Sequence, residues 1–441
     1  MTARELALHA LYHFDTEGSY VRETLDALLR QASLDGRDTA LATELVYGTV
    51  RWRGRLDWVL GQFVKRMDTL TPWITNTLRL GAYQILMLDQ IPDSAATNES
   101  VELAKRFGHP GTVSLTNGVL RNIIRKRADI RFPAREKAPV AFLSTMYSYP
   151  EWIAKRWFER YGIDAAEELC KAGNESPALS IRVNRLKTDP GKFSEELEKS
   201  GVSVEPGRYL DTYLNLRHSG AVRALKGYHK GWFQVQDESA GLSVALLDPQ
   251  PGETVVDLCC APGGKTGFIA ELMQDQGRVL GVDLAPGRLK RLKQHRERLG
   301  LSCIIPVAMD GRLCKLRRLA DRVLVDAPCS GLGTVARRTE LRWRRSVEDI
   351  ATASKLQTEL LEHGSTLVKP GGVLVYSTCT IEPEENSEIA EAFSTRHPEY
   401  TIEAPETGAV GELVDGRGML QTLPSEHGID GSFAVKFRRQ L

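Results

Sequence analysis

Residues 254–266 read Thr-Val-Val-Asp-Leu-Cys-Cys-Ala-Pro-Gly-Gly-Lys-Thr, and this stretch decides the fold of the second half of the chain. Thr254 to Cys259 is a short apolar run of the kind that fills a fully buried strand. Pro262, Gly263 and Gly264 interrupt it, and a helical pattern follows. Working outward, strands are expected at 278–283, 304–309, 322–326 and 372–378, with further β segments near 400–403 and 432–438. Helical stretches separate them. Such alternation predicts a doubly wound, mainly parallel sheet that holds its ligands at the carboxyl ends of the strands.

The glycine turn narrows the ligand class. In the phosphate loop G-x-x-x-x-G-K-[ST] the first glycine would fall at position 259, which is Cys259, so an ATPase reading fails. No G-x-G-x-x-G is present, which removes a dinucleotide reading. What remains is a turn whose backbone amides approach an anionic carboxylate at a helix N-terminus. Asp283 ends the next expected strand, nineteen residues after Gly264, where an acid accepts the hydroxyls of a ribose. Asp310 ends the third strand and suits the exocyclic amine of adenine. A helix or turn cap is the alternative for either acid taken alone. Three strand-end acids, Asp283, Asp310 and Asp326, favour S-adenosylmethionine over a phosphate-bearing cofactor, since acids repel phosphates.

Two further segments carry chemistry. Asp326-Ala327-Pro328-Cys329-Ser330-Gly331 and Ser377-Thr378-Cys379-Thr380 each place a thiol just past an apolar run. Neighbouring strands lie ~4.8 Å apart, so both thiols would reach one base if their strands pair. Carbon 5 of cytosine is too weak a nucleophile to take a methyl group unaided. A thiolate adding to carbon 6 makes it an enamine carbon, and hydrogen bonding at ring nitrogen 3 assists, a role for Asp326.

Composition sets the frame. At 441 residues, two to three domains are expected, and 42% hydrophobic with 26% charged residues excludes disordered and fibrous classes. There is no apolar run of membrane-spanning length and no signal-peptide pattern, so a cytoplasmic protein with no membrane partner is expected. Seven cysteines, none in C-x-x-C spacing, argue against a disulfide framework and a zinc ribbon; most are expected to be small buried hydrophobes. A net charge of +1 conceals asymmetry: residues 286–345 hold sixteen Lys/Arg against five Asp/Glu, while residues 381–430 hold twelve acids against two Arg. Solvated helix faces explain such runs as readily as a basic face for a phosphate backbone.

Three modules are expected, at 1–135, 136–230 and 231–441. The first reads as all helix, from Leu6, Leu8, Ala10, Leu11 and Phe14 onward. It ends in Arg121, Arg125, Lys126, Arg127 and Arg131, which suit a helix C-terminus or an RNA surface. It carries no catalytic constellation. The second reads as a small α+β unit with helices at 150–161, 165–172 and 191–200 and strands at 179–184, 202–204 and 232–235.

Residues 231–441 resemble the RNA cytosine-5 methyltransferases of the Sun/RsmB type. The resemblance rests on Asp-Ala-Pro-Cys-Ser-Gly at 326–331, Ser-Thr-Cys at 377–379, Pro-Glu-Glu-Asn at 383–386, the glycine loop and Gln357. The helical first module is similar to the NusB-type RNA-binding fold, and the middle module stands where the family carries a small RNA-recognition-like domain. The resemblance implies a Rossmann-like methyltransferase domain, a monomer, and 16S ribosomal RNA as the partner. It implies Cys379 as the nucleophile and Cys329 as the helper for product release. Cys259, Cys260, Ala261, Pro262, Gly263, Gly264, Lys265, Asp283, Asp310 and Asp326 would form the S-adenosylmethionine site. Cys260 departs from the family's usual alanine, so a contact by its backbone is the firmer expectation.

Two rivals remain. DNA cytosine-5 methyltransferases use the Pro-Cys thiol, which would promote Cys329, yet they have no thiol at the position of Cys379. An RNA-binding scaffold of the antitermination type would use the helical module alone and would not bind S-adenosylmethionine.

Overall fold

The computed structural model describes residues 1–217, 220–405 and 410–441, and it divides into two compact units. The first comprises Met1–Asn174 with Arg338–Arg344; the second comprises Glu175–Arg337 with Arg345–Leu441.

The first unit is helical: α1 (Ala3–Glu17), α2 (Val21–Gln31), α3 (Gly36–Arg51), α4 (Arg53–Gly61), α5 (Pro72–Met87), α6 (Asp93–Phe107), α7 (Pro110–Arg125), α8 (Pro139–Met146) and α9 (Glu151–Ala172). Leu6, Leu8, Ala10, Leu11 and Phe14 of α1 are buried in one core with residues of α3, α4, α5, α6 and α7. Local signals set several starts. Asp35 caps α3 by accepting from the Asp38 N–H, and His109 and Thr112 form a reciprocal box around the start of α7. The two helices expected at 150–161 and 165–172 run together as α9, kinked at Gly162, whose φ of 76° breaks helical geometry. The stretch 338–344 belongs here. Arg342 is fully buried and donates to the carbonyls of Ser148 and Gly173 and to Asn174, and the Trp343 indole donates to the Val50 carbonyl.

The second unit begins with a four-stranded antiparallel sheet. It is built from β1 (Leu179–Val183), β2 (Ser203–Pro206), β3 (Tyr213–Arg217) and β4 (Phe233–Val235) in the order β2-β3-β1-β4, with α10 (Pro190–Lys199) packed against it. Then follow α11 (Glu238–Leu247), β5 (Thr254–Leu258), α12 (Gly264–Leu272), β6 (Arg278–Asp283), α13 (Pro286–Leu299), β7 (Ile304–Ala308), β8 (Ala320–Asp326), α14 (Val347–Thr366), β9 (Val368–Thr378), α15 (Ser387–Arg396), β10 (Tyr400–Ile402), β11 (Met419–Thr422) and β12 (Ser432–Arg439). These strands form one sheet in the order β10-β12-β9-β8-β5-β6-β7, with β11 on β12. From β9 to β7 the pairing is parallel, and β10, β11 and β12 pair antiparallel. The sheet is therefore more mixed than its apolar runs announce. Two strands, β3 and β11, were not expected from the sequence.

The charged runs also resolve. On α13, Arg288, Lys290, Arg291 and Lys293 are exposed, whereas Arg337 and Arg342 from the same basic run are internal ties. In the acidic run, Glu382, Glu385 and Asp430 are buried, and Glu403 pairs with Lys436 and Arg438. Among the described residues no helix is long and apolar enough to cross a membrane.

Candidate active site

The expected site residues follow the carboxyl ends of β5, β6, β7, β8 and β9. After β5 the chain turns through Cys259 at φ 64° and Gly263 at φ 101° before α12 starts. A side chain on Gly263 would be strained at that φ, and its Cβ would come within 2.4 Å of Leu292 Cδ1. Asp283, at the end of β6, is buried and braces this turn: its carboxylate accepts from the backbone N–H groups of Ala261 (3.1 Å) and Ala285 (3.0 Å). The Arg288 guanidinium donates to the Ala261 carbonyl (2.6 Å). The Cys260 side chain lies in the core beneath the turn; its N–H donates to the Val282 carbonyl (3.0 Å) and its carbonyl accepts from the Gly263 N–H (2.8 Å). Asp310 caps a short helical turn after β7, and Arg312 grips its carboxylate and holds it below the usual carboxylate range. A ligand amine at Asp310 would share that carboxylate with Arg312.

One acid at this end of the sheet had no part in the sequence expectations. Asp257 on β5 is fully buried, accepts from the Thr266 hydroxyl (2.6 Å) through Oδ2, and has no hydrogen-bond partner for Oδ1. Burial pushes its carboxyl up to about 7. Buried carboxylates, a glycine turn without room for a Cβ, and the N-terminus of α12 together fit S-adenosylmethionine. Its hydroxyls and amine donate, its sulfonium is cationic, and its carboxylate suits the helix end.

Neighbouring β8 and β9 bring the second half of the site together. Asp326 lies opposite Ser377, and the Ala327 N–H donates to the Ser377 carbonyl (3.0 Å). Lys265 reaches from α12 to pair with Asp326 and to donate to the Ser377 hydroxyl (3.1 Å), which itself donates to Asp326 (3.1 Å). Just beyond, the Cys329 and Cys379 sulfurs stand 3.2 Å apart, and the Cys379 N–H points at the Cys329 sulfur. Both residues are half-buried, whereas Cys170, Cys260, Cys303 and Cys314 are buried in cores. Two thiols this close cannot both ionise, because the second negative charge is repelled by the first. The Cys329 thiol is pushed well up, first by its hydrogen bond with Cys379 and then by burial.

Glu385 fixes the two loops that carry these thiols. It is fully buried, accepts from the N–H (2.8 Å) and hydroxyl of Ser330, and accepts from Gln357 (2.9 Å). Gln357 also donates to the Pro328 carbonyl, and the Ser330 hydroxyl meets that of Thr380 (2.8 Å). The Pro-Glu-Glu-Asn motif was visible in sequence, but its service to the Cys329 loop depends on a chain crossing that no local pattern encodes.

Residues 244–438 match the family described as 16S rRNA methyltransferase RsmB/F, residues 149–223 an RsmF/B-like ferredoxin-like domain, and residues 1–125 the NusB family. The probable ribosomal RNA small subunit methyltransferase B of Bacillus subtilis (strain 168) is 37% identical, with 100% of this chain and 99% of the relative covered. A relative of the same description from Synechocystis sp. is 38% identical, with both chains covered in full (100% each). The crystal structure of PH0851 superposes with a TM-score of 0.82 at 29% identity over 98% of each chain. The three modules recur together in one order, and the likeness runs from end to end. This chain belongs to the RsmB/F family of 16S rRNA methyltransferases, whose methyl donor is S-adenosylmethionine.

Proposed function

We propose that this chain methylates carbon 5 of a cytosine in 16S ribosomal RNA, with Cys379 adding to carbon 6 of the ring. The observation that carries the reading is the pair of sulfurs 3.2 Å apart beside the Lys265–Asp326–Ser377 cluster. In the first step the Cys379 sulfur, as its thiolate, bonds to carbon 6, and the electron pair of the carbon 5–carbon 6 double bond moves to carbon 5. Asp326 assists by hydrogen bonding at ring nitrogen 3. S-adenosylmethionine, when bound, supplies the methyl group that carbon 5 acquires. A base then takes the carbon 5 proton, the double bond re-forms, and the Cys379 sulfur leaves carbon 6. Cys329 assists that departure, and its raised thiol, protonated at neutral pH, supports a proton-holding role.

The cofactor would be held by residues 259–265 with Asp283, Asp310 and Asp326. Residues 1–135 dock RNA; their exposed Arg121, Arg125, Lys126, Arg127 and Arg131 support that role. The chain works as a monomer in the cytoplasm with no membrane partner. Mass-spectrometric mapping of 5-methylcytidine in small-subunit RNA tests the reaction: one site should vanish in cells lacking the gene and return with the wild-type chain but not with Cys379→Ala. Methylation at another ring position would sink it.

A further inference from the structure

The guanidinium of Arg337 joins three parts of the second unit. Nε donates to Asp430 (3.1 Å), Nη2 to Asp237 (2.7 Å) and Nη1 to the Ala178 carbonyl (3.0 Å). Asp237 caps α11 through the Ser239 N–H and accepts from the Asp430 N–H (3.2 Å). A backbone relay runs alongside: the Gly431 N–H donates to the Gly333 carbonyl (2.8 Å), and the Gly333 N–H donates to the Cys379 carbonyl (3.2 Å). The crossing is tight, since a Cβ on Gly333 would lie 2.1 Å from the Gly431 carbonyl oxygen. Facing the buried Asp430 carboxyl are Asp237, Arg337 and the Cys379 thiol, and burial raises that carboxyl to about 8.

We propose that Arg337, acting through Asp430, is a positioning residue for Cys379: it clamps the Asp430–Gly431 turn onto Gly333, which fixes the Cys379 carbonyl. Losing the guanidinium frees the turn and leaves Asp237 and the buried Asp430 without their shared donor. Lysine keeps the charge but cannot serve three acceptors at once. The inference rests on Cys379 being the nucleophile.

The test compares the wild type with Arg337→Gln, Arg337→Lys, Asp430→Asn and the Arg337→Gln/Asp430→Asn pair. Turnover on 16S RNA, KM for RNA, S-adenosylmethionine affinity and the rate of Cys379 alkylation by iodoacetamide are measured. Arg337→Gln should lower kcat by roughly 10- to 100-fold, the scale for a misplaced reacting group, with KM and cofactor affinity within about 2-fold. Alkylation of Cys379 should slow in parallel, Arg337→Lys should fall between, and the double variant should recover several-fold over Arg337→Gln. Wild-type kcat and alkylation in Arg337→Gln would overturn the inference. So would equal losses of cofactor affinity and KM in both Arg337 variants without rescue, which would make the residue a general strut. A covalent RNA adduct surviving in Cys379→Ala would refute the nucleophile reading and this inference with it, whereas ordinary adduct chemistry with an indifferent Arg337 refutes the inference alone.

Discussion

Each of the two thiols has a distinct expected failure. Without Cys379 no bond to cytosine forms, so Cys379→Ala should give no covalent adduct. Without Cys329 the addition and methyl transfer proceed and release stalls, so Cys329→Ala should accumulate RNA bound through Cys379. A denaturing gel with RNA and S-adenosylmethionine separates the two, and the opposite pattern would give the nucleophile to Cys329. Asp257 makes a different kind of prediction. Its folded value of about 7 lies above that of an unfolded aspartate, so between roughly pH 4 and 7 the folded state holds a proton that the unfolded state has lost. Its stabilising contribution is full below the unfolded value and disappears as pH rises through the folded one, at about 1.4 kcal/mol per pH unit within the window. Asp257→Asn should remove that slope from denaturant unfolding measured between pH 5 and 8; an unchanged slope would contradict it. At this scale the cysteines, Asp283 and Asp326 were legible because each follows an apolar run. Arg337 and Asp430 were not, since the partners of Arg337 lie far away in sequence and meet it only where loops cross.

Among the elements, the parallel strands were legible because burial on both faces demands near-continuous apolar runs, and Val323–Val325 and Val373–Tyr376 supply them. The antiparallel β12 was legible as a strand but its place beside β9 was not, because pairing partners leave no mark in a single sequence. The turns between elements are the sensitive points. Gly263→Ala adds a methyl group at φ 101° against Leu292, so it should weaken S-adenosylmethionine binding in calorimetry about 10-fold or more. Gly333→Ala strikes backbone at Gly431, where no side chain can step aside, and overpacking of this kind costs roughly 1–3 kcal/mol. Its adduct formation should slow sharply while cofactor affinity stays near wild type. Equal damage to both measurements would mean that the two loops are not separable.

Over the whole molecule, a net charge of +1 gives no hint of a polyanionic partner, and the signal is local. Lys290 and Lys293 stand exposed on α13. If they meet phosphates, Lys290→Gln/Lys293→Gln should weaken RNA binding and flatten its dependence on salt by roughly 0.7 in log–log slope for each lost contact to single-stranded RNA. Filter binding across a salt series reads this directly, and parallel lines for the two proteins would exclude the contact. Removing residues 1–135 should raise KM for RNA and spare cofactor affinity. The helical module was legible from its periodicity, but the first unit runs on to Asn174 and takes in Arg338–Arg344, a boundary that depends on packing.

The place of β12 also has a consequence in time. Phe433 pairs with Thr378 immediately before Cys379, and Gly431, one residue ahead of the strand, begins the relay that ends on the Cys379 carbonyl. Translation delivers Cys329 and Cys379 well before it delivers either brace. The full bracing of Cys379 therefore requires a strand that follows it by more than fifty residues, so a chain ending before Gly431 keeps both thiols and the Glu385 ties but loses the Phe433–Thr378 pairing and the Gly431 relay.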